Sequence, residues 1–224
     1  VMNVSKAALL MAALFSTSAL SGVEIGGTRL IYDGNKNQAA ISVNNPDDRP
    51  YLIQAWVNKN ESSDDNDDTF ITTPPLFRLD PHKQNSVRVV LSGKPPATDK
   101  ESVYWLNIKS IPASAPNGKN ELTIAVKSKM KLIYRPAGMK GDPATAYQQL
   151  QFSQRAGKLV VKNPTPFSVS LHAVKINGKA ISRAPMVLPQ QEMTLPNNVS
   201  PGQQIDWQAI NDFGGITAPV KVQL

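Results

Sequence analysis

The sequence predicts an all-β protein made of two consecutive β-sandwiches, and three observations carry that expectation. Short runs of alternating apolar and polar residues recur between Pro, Gly, Asn and Asp clusters, the period-2 signature of half-buried strands. Eighteen prolines are spread through the 224 residues, which disfavours long helices because an internal proline removes a backbone donor and clashes with the preceding turn. The pair Asn177-Gly178 separates Val174-Lys175-Ile176 from Ala180-Ile181, a type I′ hairpin signal since both residues tolerate positive φ.

Taken in chain order, residues 1–21 read as a secretory signal. Lys6 precedes the apolar run 7–15, and small residues lead to Ala19-Leu20-Ser21, so a mature chain is expected to start near Gly22. The apolar run falls well short of the roughly 20 residues that span a bilayer, and no stable membrane insertion is expected. Strands are expected at 28–32, 39–43, 51–57, 86–91, 103–109 and 121–134. A second set is expected at 150–153, 158–162, 168–176, 184–188, 192–195 and 205–210. Two such sets imply two immunoglobulin-like sandwiches rather than one large barrel. The connection falls in 136–143, PAGMKGDP, which is rich in Pro and Gly and poor in apolar residues. The domains are expected at 22–138 and 139–224. One short helical turn is expected within 143–150.

Composition removes several functional classes. Cysteine is absent, so there is no disulfide scaffold, thiol catalysis or thiolate metal site. The net charge of +7 and pI near 9.6 favour acidic or carboxylate-bearing partners. Nucleic acid is not expected, because the Lys and Arg are scattered and no aromatic RNA motif interleaves them. The run Asp64, Asp65, Asp67, Asp68 lacks the glycine and closing glutamate of a calcium loop. It reads as a solvated hairpin tip, and no metal is expected. His82 lies in a turn and His172 faces water on a strand; neither has a zinc-type partner or a nucleophile elbow. No catalytic residue, enzyme activity or cofactor is expected.

Residues 121–136, ELTIAVKSKMKLIYRP, carry the strongest functional signal. Leu122, Ile124 and Val126 form an apolar stripe, and an alternating stripe must be covered, either by the protein's own core or by another chain. Strict alternation puts Lys127, Lys129 and Lys131 on the opposite face. Spacing alone does not choose among these lysines.

The chain resembles the PapD-like periplasmic pilus chaperones over essentially all of the sequence after residue 21. The motifs, in order, are GVEIGGTRLIYDG (22–34), PYLIQAW (50–56), TTPPLFR (72–78), KMKLIYRP (129–136), NPTPF (163–167) and NDFGG (211–215). The resemblance implies a boomerang of two immunoglobulin-like domains with a cleft between them, working in the periplasm. Its clients are pilus subunits whose fold lacks a last strand and leaves an open groove. The chaperone's seventh strand complements that groove, here through Leu122, Ile124 and Val126, with Asn120 as an outer contact and Thr123 and Ala125 packing inward.

By the same resemblance Arg29 and Lys131 anchor the subunit's C-terminal carboxylate. Lys131 would need twist, a bulge or its long stem to reach the cleft. Glu101, Arg135 and Asp212 match an interdomain salt-bridge set. Thr73-Pro74-Pro75 makes a rigid turn that admits a cis bond. Loaded subunits pass to an outer-membrane usher, and the open edge leaves room for a self-capping dimer when the protein is free. The short connection 111–120 matches the subgroup with a short F1–G1 loop, and the absence of cysteine matches the branch of the type 1 pilus chaperones. Two departures are Asp99-Lys100-Glu101-Ser102, where the second position is usually arginine, and Phe213, where tyrosine is common. The alternative is an exported structural or adhesive fimbrial component, which would be expected to carry an N-terminal donor extension and a cysteine pair.

Overall fold

The computed structural model describes residues 22–62, 68–114 and 122–224. Residues 1–21, expected from sequence to be a signal segment, and Asp64, Asp65, Asp67, Asn120 and Glu121 lie outside the described residues.

The first domain contains β1 (Glu24–Ile25), β2 (Arg29–Asp33), β3 (Ala39–Asn44), β4 (Tyr51–Asn58), β5 (Phe70–Thr73), β6 (Leu76–Leu79), β7 (Gln84–Leu91), β8 (Ser102–Pro112) and β9 (Val126–Arg135). One sheet runs β1-β3-β7-β5 and the other β2-β9-β8-β4-β6. Between them the inward residues form a core that includes Val43, Ile53, Val87, Val89, Leu106 and Leu132, all at or near zero exposure. Phe70 stacks edge-on with Tyr104 at 4.9 Å and lies 5.5 Å from Tyr32, an aromatic cluster of the kind that contributes beyond its buried area.

β5 and β6 are absent from the strand pattern read in the sequence because Pro74-Pro75 interrupts them. The chain changes sheets at that point, β5 pairing with β7 and β6 with β4. A proline pair suits a sheet switch, since a residue without an N–H is tolerated where the ladder is already broken. The Thr73-Pro74 bond is cis.

The second domain starts with a 3₁₀ turn, Ala146–Gln149. It continues with β10 (Gln151–Arg155), β11 (Lys158–Lys162), β12 (Val169–Ile176), β13 (Lys179–Ala180), β14 (Met186–Val187), β15 (Glu192–Asn198), β16 (Gln204–Ile210) and β17 (Val220–Gln223). The sheets β10-β11-β15 and β13-β12-β16-β17 enclose a second core around Leu159, Val161, Val174, Ile205 and Trp207. The Trp207 indole donates to the Tyr147 carbonyl at 2.8 Å, so its polar edge is satisfied inside the core. Asn177 and Gly178 have φ of 48° and 79° and join β12 to β13, as the hairpin signal requires. β17 alternates as Val220-Lys221-Val222-Gln223 but is absent from the strands expected from sequence; it is the edge partner of β16. Among the described residues no helix is long and apolar enough to cross a membrane.

The two immunoglobulin-like sandwiches flank an open cavity of about 800 Å³, lined by Lys59 and Trp105 from the first domain and Arg183 and Met186 from the second. His82 and His172 are both exposed, and His82 lies 2.9 Å from Asp48 Oδ1.

Candidate functional site

The site is organised by the two faces of β9. Its even-numbered residues Met130, Leu132 and Tyr134 enter the first core, and the same face continues upstream through Val126, Ile124 and Leu122. There the sandwich ends: Leu122, Ile124 and Val126 are 85%, 66% and 57% exposed. Core-type side chains thus run past the edge of the core that would cover them. Residues 122–125 are not strand in the free protein, and Thr123 and Ala125 are exposed, so the expectation that they pack inward is corrected. Among the described residues, Leu122, Ile124 and Val126 belong to neither hydrophobic core.

The odd-numbered face looks toward the second domain. Ile133 is 3% exposed yet lies outside the first core. It lines a cavity with Arg29, Tyr147 and Val169, and Arg135 reaches across to Asp212. Lys131 is on this face with them, so it needs neither bulge nor unusual twist to face the cleft. Parity, which looked like an obstacle, is what aims Lys131 there.

Strand pairing then places Arg29. β2 runs parallel to β9 and opposes Arg29 to Lys131, Leu30 to Leu132 and so on to Asp33 and Arg135. On its other side β9 pairs with β8, Trp105 opposing Lys131. Because β2 begins at Arg29, residues 126–130 of β9 pair with β8 on one edge and with no strand of the described residues on the other. An open stretch of edge therefore runs up to the Arg29–Lys131 pair and stops there.

Two cations sit side by side at that stop. The Lys131 ammonium is held below its usual range by burial, then by the Arg29 charge, against a smaller upward pull from Glu61. Its Nζ lies 5.7 Å from the centre of the Trp105 ring. Burial also lowers Arg29, opposed by the charge of Asp212. Arg29 donates from Nη1 to the Ile210 carbonyl at 3.2 Å, while its buried Nε has no partner among the described residues. A buried donor without an acceptor costs free energy. Paired cations with an unspent donor suit an incoming carboxylate. By contrast Lys127 lies over the Trp56 ring at 5.9 Å and Lys129 donates to the Glu61 carbonyl.

Glu101, Arg135 and Asp212 meet at the junction of the domains. Arg135 donates from Nε to Glu101 at 2.6 Å and from Nη1 and Nη2 to Asp212 at 2.7 and 3.1 Å. Glu101 also accepts the Ser168 amide at 2.7 Å and its own amide donates to the Pro166 carbonyl at 2.9 Å. Burial pushes the Glu101 carboxyl up, more than Arg135 and Ser168 pull it down. Burial alone would lower Arg135, but the hydrogen bonds and charges of Asp212 and Glu101 outweigh it and raise the guanidinium further.

Sequence reasoning missed Trp105 and the Ile210 carbonyl. Trp105 shares the odd parity of β8's cleft face, a signal readable once the strand is assigned. A backbone carbonyl from a residue far along the chain leaves no mark in sequence.

Among the described residues no group of His, Cys, Asp and Glu is arranged to hold a metal. Known proteins resemble the chain over nearly its full length. The model of the pili and flagellar-assembly chaperone, PapD N-terminal domain, matches residues 22–140, and that of the pili assembly chaperone PapD, C-terminal domain, matches 145–220. The probable fimbrial chaperone LpfB of Escherichia coli O157:H7 is 41% identical, covering 92% of this chain and 91% of its own. The chaperone protein FimC of Escherichia coli K12 is 34% identical, covering 93% and 87%. In the solved complex of the SafA pilin with the SafB chaperone from Salmonella enterica, one chain superposes with a TM-score of 0.82 at 35% identity, covering 93% of this chain and 99% of that one. The chain belongs to the PapD-like family of pilus-assembly chaperones, which are not enzymes.

Proposed function

We propose that this protein, divided into domains at 22–138 and 139–224, is exported behind the signal segment 1–21 to the periplasm. There it captures pilus subunits by lending them the strand that runs into β9. The observation that carries this is the open edge of β9 at residues 126–130, preceded by the exposed Leu122 and Ile124 with Val126 and ending at Arg29 and Lys131.

A client strand that adds to this edge occupies the sheet position that β2 takes farther along. It cannot continue past Arg29 without colliding with β2, so the strand that fits is one whose chain ends there. Its terminal carboxylate then meets the two cations and the unspent Arg29 donor. Charge-assisted hydrogen bonds at that point fix the register, which apolar contact alone would let slip by two residues. The strand pairing is β-augmentation, and the exposed side chains fill successive pockets of the client's groove.

Burying three aliphatic side chains contributes roughly 5–9 kcal/mol before ordering and association costs. That gain holds the client and covers an edge prone to aggregation. The shared complex is then passed to an outer-membrane usher, where exchange of one strand for another needs no cofactor. When no client is present the same open edge is available to a second copy.

The test is co-expression with a pilus subunit, followed by purification from the periplasm. Wild type is expected to carry the subunit, and Arg29→Ala and Lys131→Ala to lose most of it. Equal recovery with either variant would show that the carboxylate anchor is wrong.

A further inference from the structure

Asp47 is a carboxylate set into a pre-shaped loop with acceptor capacity to spare. Buried Asn45 shapes that loop: its Nδ2 donates to the carbonyls of Arg49 and Asp80 at 2.9 and 3.0 Å, and its Oδ1 accepts the Asp47 amide at 3.1 Å. The Asp47 side chain is only 16% exposed. It accepts a hydrogen bond from the Tyr51 hydroxyl at 2.5 Å, while Arg49 Nε stands 4.0 Å away and donates instead to the Tyr51 oxygen at 3.2 Å. Burial, then the hydrogen bond to Asp47, holds the Tyr51 hydroxyl above its usual range, so it stays a donor. An ionised carboxylate offers about four lone-pair sites, which leaves room for a stronger, charged donor.

The start of β1 lies beside this carboxylate. β1 opposes Glu24 to Asn44 and Ile25 to Val43, and that register, carried back toward the start of the chain, sets Gly22 against Pro46, the neighbour of Asp47. A Cβ built on Gly22 would come 3.9 Å from the Tyr51 oxygen, so the Gly22 α-carbon lies at most about 5.5 Å from it. The other charges around this point are Glu24, held by Asn44 at 2.9 Å, Arg49, and Asp48, which is 2.9 Å from His82. β1 itself is an edge strand of 2 residues, weakly held by pairing alone. Its position matters, because the chain passes from it through Gly26 and Gly27 into β2 and Arg29. That crossing is tight: a Cβ on Gly26 would meet Ser42 Oγ at 2.0 Å.

We propose that Asp47 and the Tyr51 hydroxyl form a site for a primary ammonium, and that its occupant is the α-amino group of Gly22, set free when residues 1–21 are removed. This rests on the reading that the chain is exported behind 1–21. Proximity and charge support this occupant: the new terminus is already beside the carboxylate, and cleavage turns a neutral amide nitrogen into a cation there. Removal of the signal thereby completes the first domain, pinning β1 and, through the Gly26-Gly27 crossing, the start of β2.

The test compares the protein purified from the periplasm with a cytoplasmic form that begins Met-Leu20-Ser21-Gly22, each as wild type and as Asp47→Asn. Intact mass of the periplasmic protein is expected to show a chain starting at Gly22. At pH 7 Asp47→Asn is expected to lower the melting temperature of the first domain by about 4 °C in the processed form and by about 1 °C or less in the extended one. A carboxylate partner raises the folded α-amino pKa, so the stabilisation is complete below the ordinary value of about 8 and is lost as pH rises through about 9. The gap between the two forms should therefore close by about pH 10. Titration of the glycine-labelled wild type by NMR reads the same group directly, and needs no variant.

Equal losses on Asp47→Asn in both forms, or an α-amino group of Gly22 that titrates at its ordinary value, overturn the site and leave the export reading standing. A periplasmic chain that starts at another residue overturns the site by removing its occupant. A chain that is not exported or keeps residues 1–21 overturns both readings.

Discussion

Lys131 keeps an ammonium beside a guanidinium in a half-buried setting, an arrangement that lowers the stability of the free protein. Folding depresses its pKa, so between the folded and unfolded values the unfolded chain binds more protons and stability rises with pH. Lys131→Met is therefore expected to melt at or above the wild-type temperature near neutral pH. That advantage should shrink as pH rises toward about 10, where the unfolded lysine also loses its proton. Calorimetry across that range checks it; a variant less stable than wild type at neutral pH would mean Lys131 serves the fold rather than a client. Spacing did not single out this lysine, since Lys127, Lys129 and Lys131 share a face. What distinguishes Lys131 is its position opposite Arg29, a pairing between strands about a hundred residues apart in sequence.

Along β9, one face serves two purposes. Met130, Leu132 and Tyr134 hold the first core together, and the same face upstream stays bare in the free protein. Substitutions eight residues apart along this stretch should therefore separate cleanly. Ile124→Asp is expected to leave the melting temperature of the free protein unchanged and to abolish subunit capture. Leu132→Ala is expected to cost about 2–5 kcal/mol in denaturant unfolding, because it opens a cavity in a core with no exposed surface to collapse onto. Unfolding of Ile124→Asp in isolation would instead place the stripe in the protein's own core. The alternation from 122 to 134 was legible in sequence, but the point at which the core stops was not. That point is set by where the opposing sheet ends, and no local pattern records it. β5 and β6 escaped for a related reason: short edge strands on either side of Pro74-Pro75 take their structure from β7 and β4 rather than from their own periodicity.

At the scale of the molecule, the Glu101, Arg135 and Asp212 cluster joins two sandwiches that each have a complete core. Removing one partner of a buried pair typically costs about 3–5 kcal/mol, while the intact set adds less than that to stability and specifies geometry instead. Arg135→Met is expected to show such a loss and a broader distribution of domain angles in small-angle scattering. With Arg135 gone, the buried Glu101 carboxyl is raised further, and a raised folded pKa stabilises at low pH and is lost as pH rises through it. The deficit should thus be smaller at about pH 5 than at about pH 8; a deficit independent of pH, with an unchanged scattering profile, would remove this role.

By itself the sequence determined the all-β class, the two sets of strands, the Asn177-Gly178 hairpin and, through its motifs, the family. These rest on local periodicity, turn chemistry and order along the chain. Tertiary structure alone decided which face of β9 looks into the cleft, where its apolar stripe leaves the core, and that Arg29 stands beside Lys131 under a carbonyl from the second domain. Those facts depend on strand order and on the meeting of two domains, and contacts between distant residues are what a linear pattern does not encode.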